Sequence, residues 1–77
     1  MEELLDYLAR QLVDAPDEVR VERFERESGE IVLELHVAEA DRGKVIGKGG
    51  RIARALRTVV KASAVRSGRR VHVEIAA

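Results

Sequence analysis

The 77-residue sequence has no cysteine and no tryptophan, and only one proline, one tyrosine and one phenylalanine. Without cysteine, neither disulfides nor thiolate-bound metals can help to hold the chain together. No apolar run approaches the ~18 residues of a membrane span. The N-terminus is acidic rather than basic, so a secretory signal is not expected and cytoplasm is the expected compartment. Catalytic machinery is equally hard to assemble. Ser28, Ser63 and Ser67 fall in a turn and along a helical pattern with no evident base beside them, so no catalytic residue and no cofactor are expected.

A net charge of zero conceals a segregation of charge. Residues 1–41 carry 13 acidic and 4 basic side chains, a balance of −9; residues 42–77 carry 1 acidic and 10 basic, a balance of +9. Such a division points to a polyanion on one surface. The plainer alternative is that the two halves neutralise each other in the fold. Length sets a further bound. A chain of this size buries roughly 60% of its unfolded surface, enough for one domain with a small core; residues 1–77 are read as that domain.

Local patterns give the element order. Leu4, Leu5, Leu8, Leu12 and Val13 recur at helical spacing over residues 2–13, and the pair before Pro16 ends that helix. Residues 19–27 read as a strand with Val19 and Val21 on one face; Phe24 breaks the alternation, which predicts a bulge or an outward ring. Ser28-Gly29 marks a hairpin turn. Over residues 30–37, Ile31, Leu33, Leu35 and Val37 alternate strictly with Val32, Glu34 and His36, the clearest strand in the chain. A short helix follows from about residue 40 to 46 with Gly43 inside it, where close packing is the favoured reason for glycine. Residues 50–67 form a long helix with Ile52, Leu56, Val59, Val60 and Ser63 on one face and Arg51, Arg54, Arg57 and Lys61 roughly opposite. Gly68 stops it, and Val71, Val73 and Ile75 make a last strand. The predicted class is α+β, in the order α-β-β-α-α-β. Its three-stranded mixed sheet has residues 30–37 at the centre, antiparallel to the first strand and parallel to the last, with helices on one face.

Between the two later helices lies Val45-Ile46-Gly47-Lys48-Gly49-Gly50-Arg51. Glycine lets main-chain N–H groups approach a ligand with no Cβ in the way, and the following helix adds unpaired donors and the positive end of its dipole. Lys48 adds a full charge, so the stretch reads as a grip for phosphate. It is not a nucleotide-hydrolysing P-loop, because G-x-x-x-x-G-K-[ST] spacing is absent; a G-x-G-x-x-G pattern fails at Ile52.

Ile46-Gly47-Lys48-Gly49-Gly50, set between two helices after a hairpin and before a final strand, resembles the hydrophobic-Gly-x-x-Gly signature of a K-homology (KH) domain of type II, prokaryotic topology. The resemblance covers essentially the whole chain. With Gly43-Lys44 before the signature and Arg51-Ile52-Ala53 after it, the chain is similar to the small single-KH RNA-binding proteins of bacteria. That likeness implies a single-stranded RNA-binding protein with RNA chaperone-like regulatory work, and a partnership with itself or with a larger KH protein. KH loops clamp a backbone of four nucleotides. The implied RNA-binding residues are Ile46, Gly47, Lys48, Gly49 and Gly50, joined by the nearby cations Arg42, Lys44, Arg51 and Arg54. Arg57 and Lys61 thicken the positive field. Ala53 departs from the aliphatic residue common at its place, so base preference does not carry over.

With only Tyr7 and Phe24 aromatic, the chain lacks the stacking platforms of RRM and OB-fold readers, and recognition must rest on backbone, shape and hydrogen bonds. Two other functions compete. One is a KH-fold protein–protein interaction module without RNA. The other is a helix-turn-helix DNA reader, disfavoured by the flanking strands and by a second helix without Asn or Gln. His36 and His72 are expected on neighbouring strands of the open sheet face. Two ligands without a third do not make a metal site, and none is expected.

Overall fold

Alternation along residues 31–36 places one apolar side chain on the same face at every second position. In the computed structural model, which describes residues 1–76, these residues form the central strand β2 (Ile31–His36). Ile31, Leu33 and Leu35 are completely buried. β1 (Arg20–Glu25) pairs with β2 antiparallel, and β3 (Val71–Ile75) pairs with it parallel, in the order β1-β2-β3. Three α-helices, α1 (Glu2–Leu12), α2 (Arg42–Ile46) and α3 (Arg51–Arg66), complete the order α-β-β-α-α-β. Short 3₁₀ turns stand at Pro16–Glu18, Glu39–Asp41 and Lys48–Gly50. The predicted class, topology and sheet order are those observed.

The core joins Leu5 and Ala9 of α1, Val45 of α2, and Leu56, Val60 and Ala64 of α3 to Leu33, Leu35, Val71 and Val73 of the sheet. Burying each of the larger side chains contributes about 1.5–3 kcal/mol. The face of α3 that does this differs from expectation. Its buried residues are Ala53, Leu56, Val60 and Ala64, whereas Val59 is 45% exposed and Ile52 and Ser63 are half-buried. The stripe is therefore rotated toward two alanines, which allow the helix to lie close to the sheet.

Strand β1 has no bulge. Its register with β2 runs unbroken from Arg20 opposite His36 to Glu25 opposite Ile31. Phe24 points outward, the other alternative. Opposite it stands Val32, which has His72 on its far side. Those two neighbours explain why Val32 is 8% exposed on a face that no helix covers. At the other end of the sheet, Gly68 takes φ 70° and ends α3, with the Arg69 N–H donating to the Ala64 carbonyl.

One acid is buried. Asp41, 2% exposed, accepts from the Ala15 N–H at 3.0 Å and lies 3.4 Å from the Lys44 ammonium, which also meets Asp14 at 3.1 Å. Burial alone pushes the Asp41 carboxyl up. The Ala15 and Asp14 amides and Lys44 outweigh it, and the carboxyl is held below its usual range. Stability from this group is therefore present above the ordinary carboxylate pKa of about 4 and lost as pH falls through the lower folded value. Asp41→Asn keeps an acceptor for Ala15 but loses the charge. We expect it to lower Tm by several degrees at pH 7, with the gap closing below about pH 4. Thermal melts at both pH values check this; a gap independent of pH would contradict it.

Candidate nucleic-acid interface

The chain must turn sharply between Val45, buried in the core, and Ala53, buried on α3. It does so through Gly47, Lys48, Gly49 and Gly50. Gly47 adopts φ 76°, ψ 169°, a region essentially confined to glycine. A Cβ there would lie 2.6 Å from Ile52 Cγ1 and 2.8 Å from the Ile52 amide nitrogen. Gly49 (φ 65°, ψ 19°) and Gly50 (φ 79°, ψ 13°) are left-handed, and a Cβ on Gly49 would meet open space. The Gly50 N–H donates to the Gly47 carbonyl at 3.1 Å, and the Arg51 N–H to that of Lys48, which closes the turn. Arg54 Nη1 donates to the Gly49 carbonyl at 3.1 Å. That bond ties a cation to the turn, whose Gly47, Gly50 and Arg51 N–H groups are spent on main-chain carbonyls.

Lys48 stands exposed at the apex, and Arg51 and Arg54 are exposed on the first turn of α3. None of the three lies within ion-pair distance of a carboxylate among the described residues. Ile46, half-buried, precedes the turn. These groups, with the N-terminus of a 16-residue helix, form a corner of positive charge. Arg42 and Lys44 belong to α2, before the turn. Lys44 is engaged by Asp14 and Asp41, and its ammonium is pushed above its usual range, first by the hydrogen bond to Asp14 and then by that to Asp41. Arg42 is half-buried, and its Nε has no hydrogen-bond partner.

The wider charge pattern answers whether the halves neutralise each other. Arg10, Arg20, Arg23 and Arg26, all the cations of the acidic half, pair with carboxylates. Among the described residues of the basic half, only Lys44 and Arg69 do. Arg42, Lys48, Arg51, Arg54, Arg57, Lys61, Arg66 and Arg70 carry uncompensated charge. One link was not anticipated from spacing: Arg57 Nε donates to the Val73 carbonyl at 3.2 Å, fixing the basic flank of α3 against β3. Gly43 is also a correction. It is exposed, and a Cβ there would touch nothing within 4 Å, so packing does not explain it.

A profile of the KhpA/KhpB KH-domain family matches residues 2–75. The chain belongs to this KhpA/KhpB family. RNA-binding protein KhpA of Clostridium acetobutylicum is 57% identical over 75 residues, covering 97% of this chain and 99% of the relative. The Treponema pallidum protein of that name is 58% identical over 74 residues (96% and 91%), and that of Bacillus subtilis 47% identical over 75 residues (97% and 91%). A solved structure of Aquifex aeolicus Era, bound to GDP and AlF4−, shares the fold with TM-score 0.67 at 21% identity; the match covers 96% of this chain and 28% of the Era chain. In this KhpA/KhpB-family chain a Gly-x-x-Gly pattern stands at Gly47-Lys48-Gly49-Gly50.

Other chemistry finds less support in the geometry. His36 and His72 share the open sheet face but not a row, since His72 stands opposite Val32 and His36 opposite Arg20. His36 Nε2 instead lies 2.9 Å from Glu22 and 2.8 Å from Glu34. Glu22, Glu34 and His36 are the one group among the described residues with three ligand-type atoms mutually within 4.8 Å. Their contacts are already those of a histidine held between two carboxylates. Among the described residues, no helix is long and apolar enough to cross a membrane.

Proposed function

We propose that this protein binds single-stranded RNA through its glycine turn, and that it acts as an RNA chaperone-like regulator in the cytoplasm rather than as an enzyme. The observation that carries the reading is the group of cations without a carboxylate partner, Lys48, Arg51 and Arg54, around a turn whose exposed Gly49 puts no side chain over its surface. Phosphates lie on the turn and Lys48, and Ile46 offers apolar surface to a base. Arg42 and Lys44 contribute to the field from α2, Lys44 less because of its two carboxylates. Tyr7 and Phe24 lie on α1 and β1, so stacking adds nothing at the turn. Three or four phosphate contacts give a log–log salt slope of roughly −2 to −3 for a single strand, with a Kd in the micromolar range or weaker. Titration of labelled RNA at several salt concentrations tests this. A salt-independent constant would favour the alternative, a KH-fold protein–protein module.

A second part of the reading concerns assembly. So small a site gives little affinity alone, and coupling two sites raises binding by ~10²–10⁴ without a new contact. An apolar cleft between α1 and α3, lined by Leu8, Leu12, Ile52, Ala55, Leu56 and Val59, supports a homodimer or a complex with a larger KhpB-like KH protein. Its floor adjoins the strip of Ala55, Thr58 and Ala62 on the same helix. Val59 is 45% exposed, so Val59→Arg spares the core. We expect the variant to sediment as a monomer at concentrations where the wild type associates. A wild-type monomer that captures no KH partner would remove this part of the reading.

A further inference from the structure

We infer that RNA held at the glycine turn continues along one flank of α3 to a second phosphate-binding patch formed by Lys61, Arg69 and Arg70 at the far end of the helix. The inference rests on the RNA-binding reading above and extends its reach. Arg54, Arg57 and Lys61 are spaced by three and four residues, so they share one flank of α3. This flank adjoins the buried stripe of Ala53, Leu56, Val60 and Ala64. The Arg57 bond to the Val73 carbonyl shows where the flank lies: over β3, an outer strand of the sheet. The cations thus form a line from the turn, where Arg54 holds Gly49, toward the start of β3.

At the far end the Gly68 turn brings the chain back. Lys61, Val65, Arg69, Arg70 and Val71 line a shallow groove there with Glu30. The charges in this groove do not cancel. Glu30 is engaged by Arg26 at 2.6 Å, and Arg69 shares Glu25 at 3.4 Å. Arg70 donates to the neutral Ser28 carbonyl at 3.3 Å, and Lys61 has no carboxylate within 4.0 Å among the described residues. Two full charges remain open to a ligand.

Distance decides whether this patch merely adds to the field at the turn. Lys61 follows Arg51 by ten residues, about 15 Å along the helix. That exceeds the Debye length of about 8 Å at physiological ionic strength. A phosphate at the turn is largely screened from Lys61 and Arg70, so they act on RNA only by touching it. An acidic segment of another protein could satisfy the patch alone. The unbroken line Arg54, Arg57, Lys61 instead suits a polymer whose charge repeats along its length, which favours the nucleic acid strand.

The test compares the wild type with Lys61→Glu/Arg70→Glu and with the milder Lys61→Gln/Arg70→Gln, both checked by circular dichroism. Both residues are exposed, and the Arg69–Glu25 pair is retained. The probes are labelled single strands of about four nucleotides, the length a KH loop clamps, and of roughly three times that length. We expect both variants to bind the short strand as the wild type does. On the long strand the Glu variant loses roughly tenfold in affinity, and the salt slope of the Gln variant is shallower by about 1.4, the loss of two phosphate contacts on a single strand. Equal losses on both strands would overturn the second patch in favour of a general field, as would an unchanged long-strand affinity. If an oligoglutamate peptide bound the patch while long RNA was unaffected, the occupant would be a protein. A wild type that bound neither strand would overturn the RNA-binding reading itself, and this inference with it.

Discussion

Lys48→Asp combined with Gly49→Asp removes RNA binding and leaves the fold standing. Position 49 is the place where aspartate fits: it is left-handed at φ 65°, where Asp is among the best tolerated side chains, and a Cβ would meet nothing within 4 Å. Position 48 is exposed and pairs with no carboxylate among the described residues, so its loss breaks no internal contact. The pair of changes replaces one positive charge with two negative ones where phosphate must sit. Like charges brought together at an interface cost several kcal/mol, a loss of roughly a hundredfold or more in affinity. Circular dichroism and an RNA gel shift on one sample decide it. Undiminished binding by a folded variant would place the RNA elsewhere on the molecule.

Gly47→Ala should act in the opposite way, striking the fold before the ligand. Its φ of 76° with ψ of 169° costs a non-glycine residue about 1–3 kcal/mol. The new methyl would also meet Ile52 at 2.6 Å from Cγ1 and 2.8 Å from the main-chain nitrogen. Overpacking of that kind typically costs a further 1–3 kcal/mol. A domain of this size has only roughly 4–12 kcal/mol in total, so a loss near 3 kcal/mol lowers Tm by about 10 °C or more. Gly49→Ala, with open space around it, should cost about 1 kcal/mol. Thermal melts of the two variants separate the glycine that shapes the turn from the one that keeps its surface clear. Equal Tm values would contradict this division.

The different legibility of these features has physical causes. Strand β2 was plain because strict alternation of Ile31, Leu33 and Leu35 has only one way to be buried. The glycine turn was plain because three glycines in four residues have few other uses. The core face of α3 was less so. Ala53 and Ala64 bury almost completely but do not stand out as hydrophobic, whereas Val59 does and is exposed. Phe24 breaks the alternation in a way that a bulge or an outward ring satisfies equally, and the choice of the outward ring, with its role in covering Val32, depends on the register with β2. Lys44 looked like one more cation near the turn. Its engagement by Asp14 joins residues 30 apart in the chain, a contact no local spacing encodes. Arg57 is similar: its bond to Val73 spans 16 residues and needs the return of β3 to exist.

The pairing of every arginine in residues 1–41, set against the open cations from residue 42 onward, has a consequence for how a ligand arrives. The molecule has no net charge to draw a polyanion from afar. Most of its open cations are gathered on the glycine turn and α3, and near a strand of phosphates these are drawn in first. The result is a torque that turns α3 and the glycine turn toward the strand. Encounters begun in the wrong attitude are corrected before contact, within the Debye length of about 8 Å at physiological salt. Neutrality thus limits capture at long range, while polarity governs how the protein lands.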